Sequence, residues 1–120
     1  MHFPGVQYYS GKVSVRETVG VLRDLQNKLD PTALKVVNSQ NQQVGNILHE
    51  QSQFLAPLVD QQIVRIEGVV TESAVYSIPL KLLLYGRPEH HMQVLDVCRV
   101  RQNYLSFFYF WLKFDRIFYF

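Results

Sequence analysis

The chain has 120 residues, with 12 Lys and Arg against 10 Asp and Glu for a formal charge of +2. That length suits one domain with a modest core of its own. The near-neutral balance excludes the strongly basic footprint of a long-duplex binder, and the single cysteine, Cys98, excludes an internal disulfide framework or a thiolate zinc cluster.

In chain order, the first notable stretch is Gly5-Val6-Gln7-Tyr8-Tyr9-Ser10-Gly11. Two adjacent tyrosines lie between glycines that allow sharp turns. Neighbours on an extended segment point to opposite faces, so one ring can enter a core while the other forms a stacking surface. Both rings as core filling remains an equally open reading. No apolar leader opens the chain, and no secretory signal is expected.

Lys12–Arg16 alternates and Thr18–Asp24 forms a second apolar run, and both read as strands. Residues 26–31 are polar and end in Asp30-Pro31, a loop with turn chemistry. Asp30 there is either a turn former bonding its own backbone or an acceptor for a ligand hydroxyl. Ala33–Asn38 is a strand, Ser39–Gln42 a turn, and Gln43–Leu48 the returning strand of a hairpin.

From His49 to Val59 the period changes to that of a helix, with Leu48, Leu55, Leu58 and Val59 as its buried stripe and Pro57 near its end. Gln62–Val70 alternates most clearly, with Ile63 or Val64 inward and Arg65 and Glu67 outward. Tyr76–Tyr85 is a further strand in which Pro79 implies an edge or bulge. Arg87-Pro88-Glu89 opens a short helix running to about Val97. Several short strands with a helix inserted between the fourth and fifth, and another helix after the last, predict a mainly β fold. A small OB-like or SH3-like barrel over residues 3–100 fits best.

Residues 104–120 are mostly aromatic, unlike the ordinary composition before them. Lys113, Asp115 and Arg116 interrupt the run, leaving it short of the roughly 20 apolar residues that cross a bilayer. The pattern suggests an aggregation-prone tail or, preferably, translated non-coding sequence beyond an exon. Residues 101–120 are therefore expected outside the fold, with the boundary between Val100 and Tyr104.

Chemistry-bearing motifs are sparse. No Gly-rich loop followed by Lys and Ser or Thr offers a seat for ATP hydrolysis. His90-His91 are adjacent and poorly spaced for one metal. Cys98 reads as a small core hydrophobe, and Ser10, Ser14 and Ser52 lack a nucleophile-elbow context. No catalytic residue, metal site or cofactor is expected in this chain.

Five motifs in order resemble the HIRAN domain: the tyrosine stretch Gly5–Gly11, Val-Gly-x-x-Arg-Asp ending at Arg23-Asp24, Asn27–Val36, Gln43-Val44-Gly45 and Glu67–Val70. The agreement spans about Phe3 to Arg87. The family resembled is carried at the N-terminus of SWI/SNF-type ATPases with a RING finger. The resemblance implies a modified OB-type barrel that captures the 3′-hydroxyl end of single-stranded DNA. In the parent enzymes this serves fork remodelling and DNA repair in the nucleus.

Carried over residue by residue, the resemblance implies that Tyr8, Tyr9 and Tyr76 contact terminal bases. Asp30 accepts from the 3′-hydroxyl with Asn27 beside it, and Gln7, Asn46 and His49 complete the DNA-binding set. Three departures weaken it. Gln7 stands where Arg is common, Leu29 where Tyr is typical, and Asn46 with His49 where the family has His and Lys. Zinc and ATP would belong to the longer parent; neither a small-molecule substrate nor a membrane is expected, and the oligomeric state is left open. The alternative is a decayed barrel with only a structural or protein-interaction role. Met1–Pro4 is too short to supply the family's first strand, so the chain is expected to be a fragment of a longer product.

Overall fold

In the computed structural model, residues 11–72, 79–100 and 109–114 are described, with residues 99–100 and 109–114 traced by their backbone. Five antiparallel strands carry the fold: β1 (Thr18–Arg23), β2 (Leu34–Val37), β3 (Gln43–Asn46), β4 (Val64–Val70) and β5 (Leu80–Gly86). Helix α1 (His49–Asp60) joins β3 to β4. A single 3-10 turn (Pro88–His90) leads from β5 into helix α2 (His91–Val100). The sheet order is β3-β2-β1-β4-β5, followed by a sixth strand, β6 (Tyr109–Phe114). The mainly β expectation with two short helices holds.

The first predicted strand does not form. Lys12–Arg16 alternates in sequence, yet Arg16 has φ 72° and turns the chain, with the Glu17 N–H donating to the Ser14 carbonyl at 3.0 Å. Alternation reports two unlike faces, not a partner strand. The Arg16 N–H instead donates to the Val70 carbonyl at 2.7 Å, and the Val70 N–H to the Glu17 carbonyl at 3.0 Å, so this turn feeds the end of the β1–β4 ladder. Helix α1 therefore falls between the third and fourth strands.

Register decides which residues enter the core. Val21 pairs with Ile66 and Val36, and Leu82 with Gly68, so the residues alternating with them face outward. Of the two inward candidates both are buried, Ile63 just before β4 and Val64 as its first residue, followed by Ile66 and Val70, while Arg65 is exposed. The inner face meets Phe54, Leu55 and Leu58 of α1 and Val94 and Cys98 of α2 in one cluster. Burial pushes the Cys98 thiol up to about 11, the behaviour of an inert core residue.

The buried stripe of α1 is shifted from the expected one. Leu48 is the residue before the helix, with non-helical φ −56° and ψ 140°, and is 56% exposed. Gln51 and Ser52 are buried in its place, beside Leu55 and Leu58. Pro57 lies on the solvent side and the helix continues past it to Asp60. Gln62, with φ 60°, then turns the chain into β4. Pro79 immediately precedes β5, where its carbonyl accepts from the Thr71 N–H at 3.1 Å.

The second glycine of the tyrosine motif has a steric reason. A Cβ on Gly11 would stand 2.6 Å from Val44 Cγ1 and 2.8 Å from the Gln43 carbonyl oxygen. Only glycine lets this backbone lie against β3, where the Gly11 N–H donates to the Gln43 carbonyl at 3.1 Å.

The aromatic stretch expected outside the fold contributes β6, which runs parallel to β5 from Lys81 beside Tyr109 to Gly86 beside Phe114. A parallel neighbour needs a crossover, and α2 lies in that connection. The pairing occupies main-chain groups that β5 would otherwise present at an edge.

Candidate functional site

The loop between β1 and β2 is built around a guanidinium. Arg23, the last residue of β1, has a side chain 14% exposed. Its Nε donates to Asp60 Oδ1 at 2.8 Å, Nη1 to the Ala33 carbonyl at 2.7 Å and Nη2 to the Pro31 carbonyl at 2.6 Å. The three acceptors are met by three separate nitrogens of the planar guanidinium, a spread that the single nitrogen of an ammonium cannot span. One side chain thereby ties the far limb of the loop to its near limb and to the end of α1.

Within the loop, side chains take up backbone donors that no strand satisfies. Asn27 Oδ1 accepts the N–H of Leu29 at 3.0 Å and that of Asp30 at 3.1 Å. Asp30 Oδ1 accepts both the Thr32 N–H at 2.9 Å and the Thr32 hydroxyl at 2.7 Å. This is the self-bonded turn chemistry that polar residues favour. Leu29, between the two polar residues, is 95% exposed.

The second carboxylate oxygen of Asp30 reaches another element. Oδ2 lies 3.0 Å from Nδ1 of His49, the first residue of α1. The Asp30 side chain is 22% exposed and that of His49 62%, so their contact is at the surface. Partial burial alone would raise the Asp30 carboxyl. The hydrogen bonds from the Thr32 hydroxyl and N–H, with that of His49 and its charge, together outweigh burial and hold the carboxyl below the ordinary aspartate value. At neutral pH the group is an ionised acceptor.

Of the residues expected to form the site, Asn27, Asp30 and His49 are brought together, the first by its bond to the Asp30 N–H. Asn46 ends β3 opposite Lys35, with its Oδ1 accepting from Gln43 Nε2 at 2.8 Å. It makes no hydrogen bond to Asp30 among the described residues. Gln7, Tyr8, Tyr9 and Tyr76 lie outside the described residues. Arg23, Thr32 and Asp60 are the additions. Arg23 belongs to a recognisable motif, but its partner Asp60 is 37 positions on. Thr32 is spaced for an Asx-type turn after Asp30, a local signal that could have been read. No group of three or more His, Cys, Asp or Glu with metal-binding placement occurs among the described residues.

Comparison with known proteins covers the same stretch. The family model described as HIRAN domain matches residues 2–88. Helicase-like transcription factor from Oryctolagus cuniculus is 36% identical over 97 residues, covering 79% of this chain and 10% of that protein. The Homo sapiens protein of the same name gives the same identity and coverage. A putative SWI/SNF-related matrix-associated actin-dependent regulator of chromatin subfamily A member 3-like 1 from Arabidopsis thaliana is 35% identical over 89 residues, covering 71% of this chain and 10% of that protein. The chain thus spans about a tenth of the length of the curated relatives it matches.

Solved structures agree in fold. The crystal structure of the HIRAN domain of human HLTF superposes with a TM-score of 0.72 at 33% identity, covering 81% of this chain and 82% of that one. The NMR structure of the HLTF HIRAN domain in its DNA-bound conformation gives 0.65 at 30% identity, covering 82% of each chain.

Proposed function

The chain belongs to the HIRAN-domain family, and on that premise we propose that it is a non-catalytic module capturing the 3′-hydroxyl end of single-stranded DNA. The observation that carries this reading is the fixed carboxylate of Asp30. Thr32 binds Oδ1 twice, which orients the group so that Oδ2 faces His49 at the surface. A carboxylate oxygen accepts two hydrogen bonds, so Oδ2 retains capacity for a hydroxyl donor beside His49. A free 3′-hydroxyl can donate there, whereas a 3′-phosphate brings like charge to an ionised carboxylate. The DNA-bound state of the HLTF HIRAN domain supports DNA as the ligand class.

In this reading Tyr8, Tyr9 and Tyr76 supply stacking faces and Gln7, Asn46 and His49 polar contacts to the terminal nucleotides, by resemblance to the family. By the same resemblance, the module serves a longer SWI/SNF-type ATPase in the nucleus during fork remodelling and repair; the relatives' names, a helicase-like transcription factor and a SWI/SNF-related regulator of chromatin, support the parent class. ATP and zinc chemistry belong to that longer protein.

A second reading is a barrel with a structural or protein-interaction role only. It is favoured by the Thr32 bonds, which satisfy one oxygen of Asp30 within its own loop. Fluorescence titration with oligonucleotides carrying free or phosphorylated 3′ ends separates the two. End capture requires tighter binding of the free end and loss of that preference in Asp30→Ala; equal affinity for both ends leaves the second reading.

A further inference from the structure

At the end of the sheet that carries the Asp30 loop, a second feature is unused by the site above. A cavity of about 580 Å³ opens between the last turn of α1, the start of β4 and the end of β5. Val59, Ile63 and Val64 give it an apolar floor, and Arg65, Tyr85 and Arg87 surround it. The charged groups lining it are both guanidiniums, and no carboxylate lines it among the described residues.

The sheet register places it relative to Asp30. Val21 pairs with Ile66 in antiparallel sense, so the C-terminal end of β1, the start of β4 and the end of β5 lie at one end of the sheet. The Asp30 loop joins β1 to β2, while the cavity lies beside β4 and β5. The strand pairs that carry these two positions are two spacings apart, about 10 Å. At 3.4 Å per stacked nucleotide this is roughly three nucleotides.

The two arginines are placed to receive anionic oxygens. The Arg65 guanidinium carbon lies over the Tyr85 ring, 4.5 Å from its centroid, a cation–π contact that leaves the N–H donors free to meet other acceptors. Its side chain is 66% exposed and that of Arg87 73%. Glu67 holds Arg65 and Glu89 holds Arg87 through one nitrogen each. A guanidinium has five N–H donors, and exposed ion pairs of this kind are worth about 0–1 kcal/mol. Neither pair therefore prevents a phosphate from being bound bidentately.

We propose that Arg65 and Arg87, with the cavity between them, form a second contact for single-stranded DNA, holding backbone phosphates beyond the third nucleotide from a 3′ end at Asp30. The inference rests on the end-capture reading for its polarity. It assigns the strand a path across one end of the sheet, from the β1–β2 loop to the β4–β5 end.

The test uses the full chain with trithymidylate and dodecathymidylate, both with free 3′ ends. In the Arg65→Gln/Arg87→Gln variant, dodecamer affinity should fall roughly tenfold at low salt, with the salt slope of log affinity reduced by about 1.4 for two lost single-strand phosphate contacts. The trimer should be unaffected. The Arg65→Lys/Arg87→Lys variant should keep most of the slope, and thermal unfolding of both variants should match the parent because the substituted side chains are exposed. Unchanged dodecamer affinity, or an equal loss on the trimer, overturns the proposal. A 3′-phosphorylated trimer tests the end-capture reading separately, since its discrimination involves neither arginine.

Discussion

Asp30 and His49 stand 19 positions apart in the chain, yet Oδ2 of the one and Nδ1 of the other meet at 3.0 Å where the β1–β2 loop faces the first turn of α1. With its hydrogen on Nδ1, His49 donates to a carboxylate whose other oxygen is held by Thr32.

That arrangement gives stability a pH dependence with a definite sign. The Asp30 carboxyl is held below its ordinary value in the folded chain, so its contribution is fully present above the unfolded value of about 3.9 and is lost as pH falls through the lower folded value. Asp30→Asn keeps the acceptor for Thr32 but not the charge. Urea unfolding should show the parent more stable than Asp30→Asn at pH 7, the gap closing below about pH 4. A gap that is constant with pH would assign the effect to shape.

Arg23 is the joint on which the Asp30 loop depends. Arg23→Met would strand Asp60 and two carbonyls, those of Pro31 and Ala33. Losing hydrogen bonds to a charged group costs about 1.5–3 kcal/mol. Arg23→Lys keeps the charge but cannot reach three divergent acceptors, and should recover less than half of the loss. Denaturant midpoints give the magnitude. Faster amide exchange at Leu29 and Thr32 would show that the loop itself loosens.

Helix α1 allows a direct contrast between two leucines of similar sequence pattern. Leu55 is fully buried, whereas Leu48 is 56% exposed. Leu55→Ala should cost about 2–5 kcal/mol, and Leu48→Ala should stay within about 0.5 kcal/mol. Equal effects in chemical denaturation would contradict the helix phase.

Leu29 offers a gain of function. It is 95% exposed beside Asp30 and contributes no ring at a position where the resembled family has tyrosine. Leu29→Tyr should leave the unfolding midpoint unchanged and tighten single-stranded DNA binding, a stacked base being worth about 1–3 kcal/mol. Fluorescence anisotropy with a short oligonucleotide reads the effect. No gain would mean that this side chain points away from the strand.

Local pattern carries much of the fold. Alternation in Val64–Val70, the turn residues between β2 and β3, and the change of period at His49 are each set by a few neighbouring residues, and each appears in the structure. The same logic fails at Lys12–Arg16, because alternation does not know whether a partner strand is present, and Arg16 turns instead. It also misplaces Leu48, since a stripe of leucines does not say where the first helical residue falls.

The sequence by itself determined a mainly β domain, its family and a short set of polar and aromatic candidates, because these depend on residue type and short spacings. Tertiary structure alone decided that Arg23 spans to Asp60 and that Asp30 meets His49. It likewise set Arg65 over Tyr85 at one end of the sheet. The first two are bonds between loop or strand and helix over long chain separations, and the third follows from the pairing of β4 with β5. All are fixed by how the elements pack and by strand register, where a shift of one residue would turn every side chain to the opposite face.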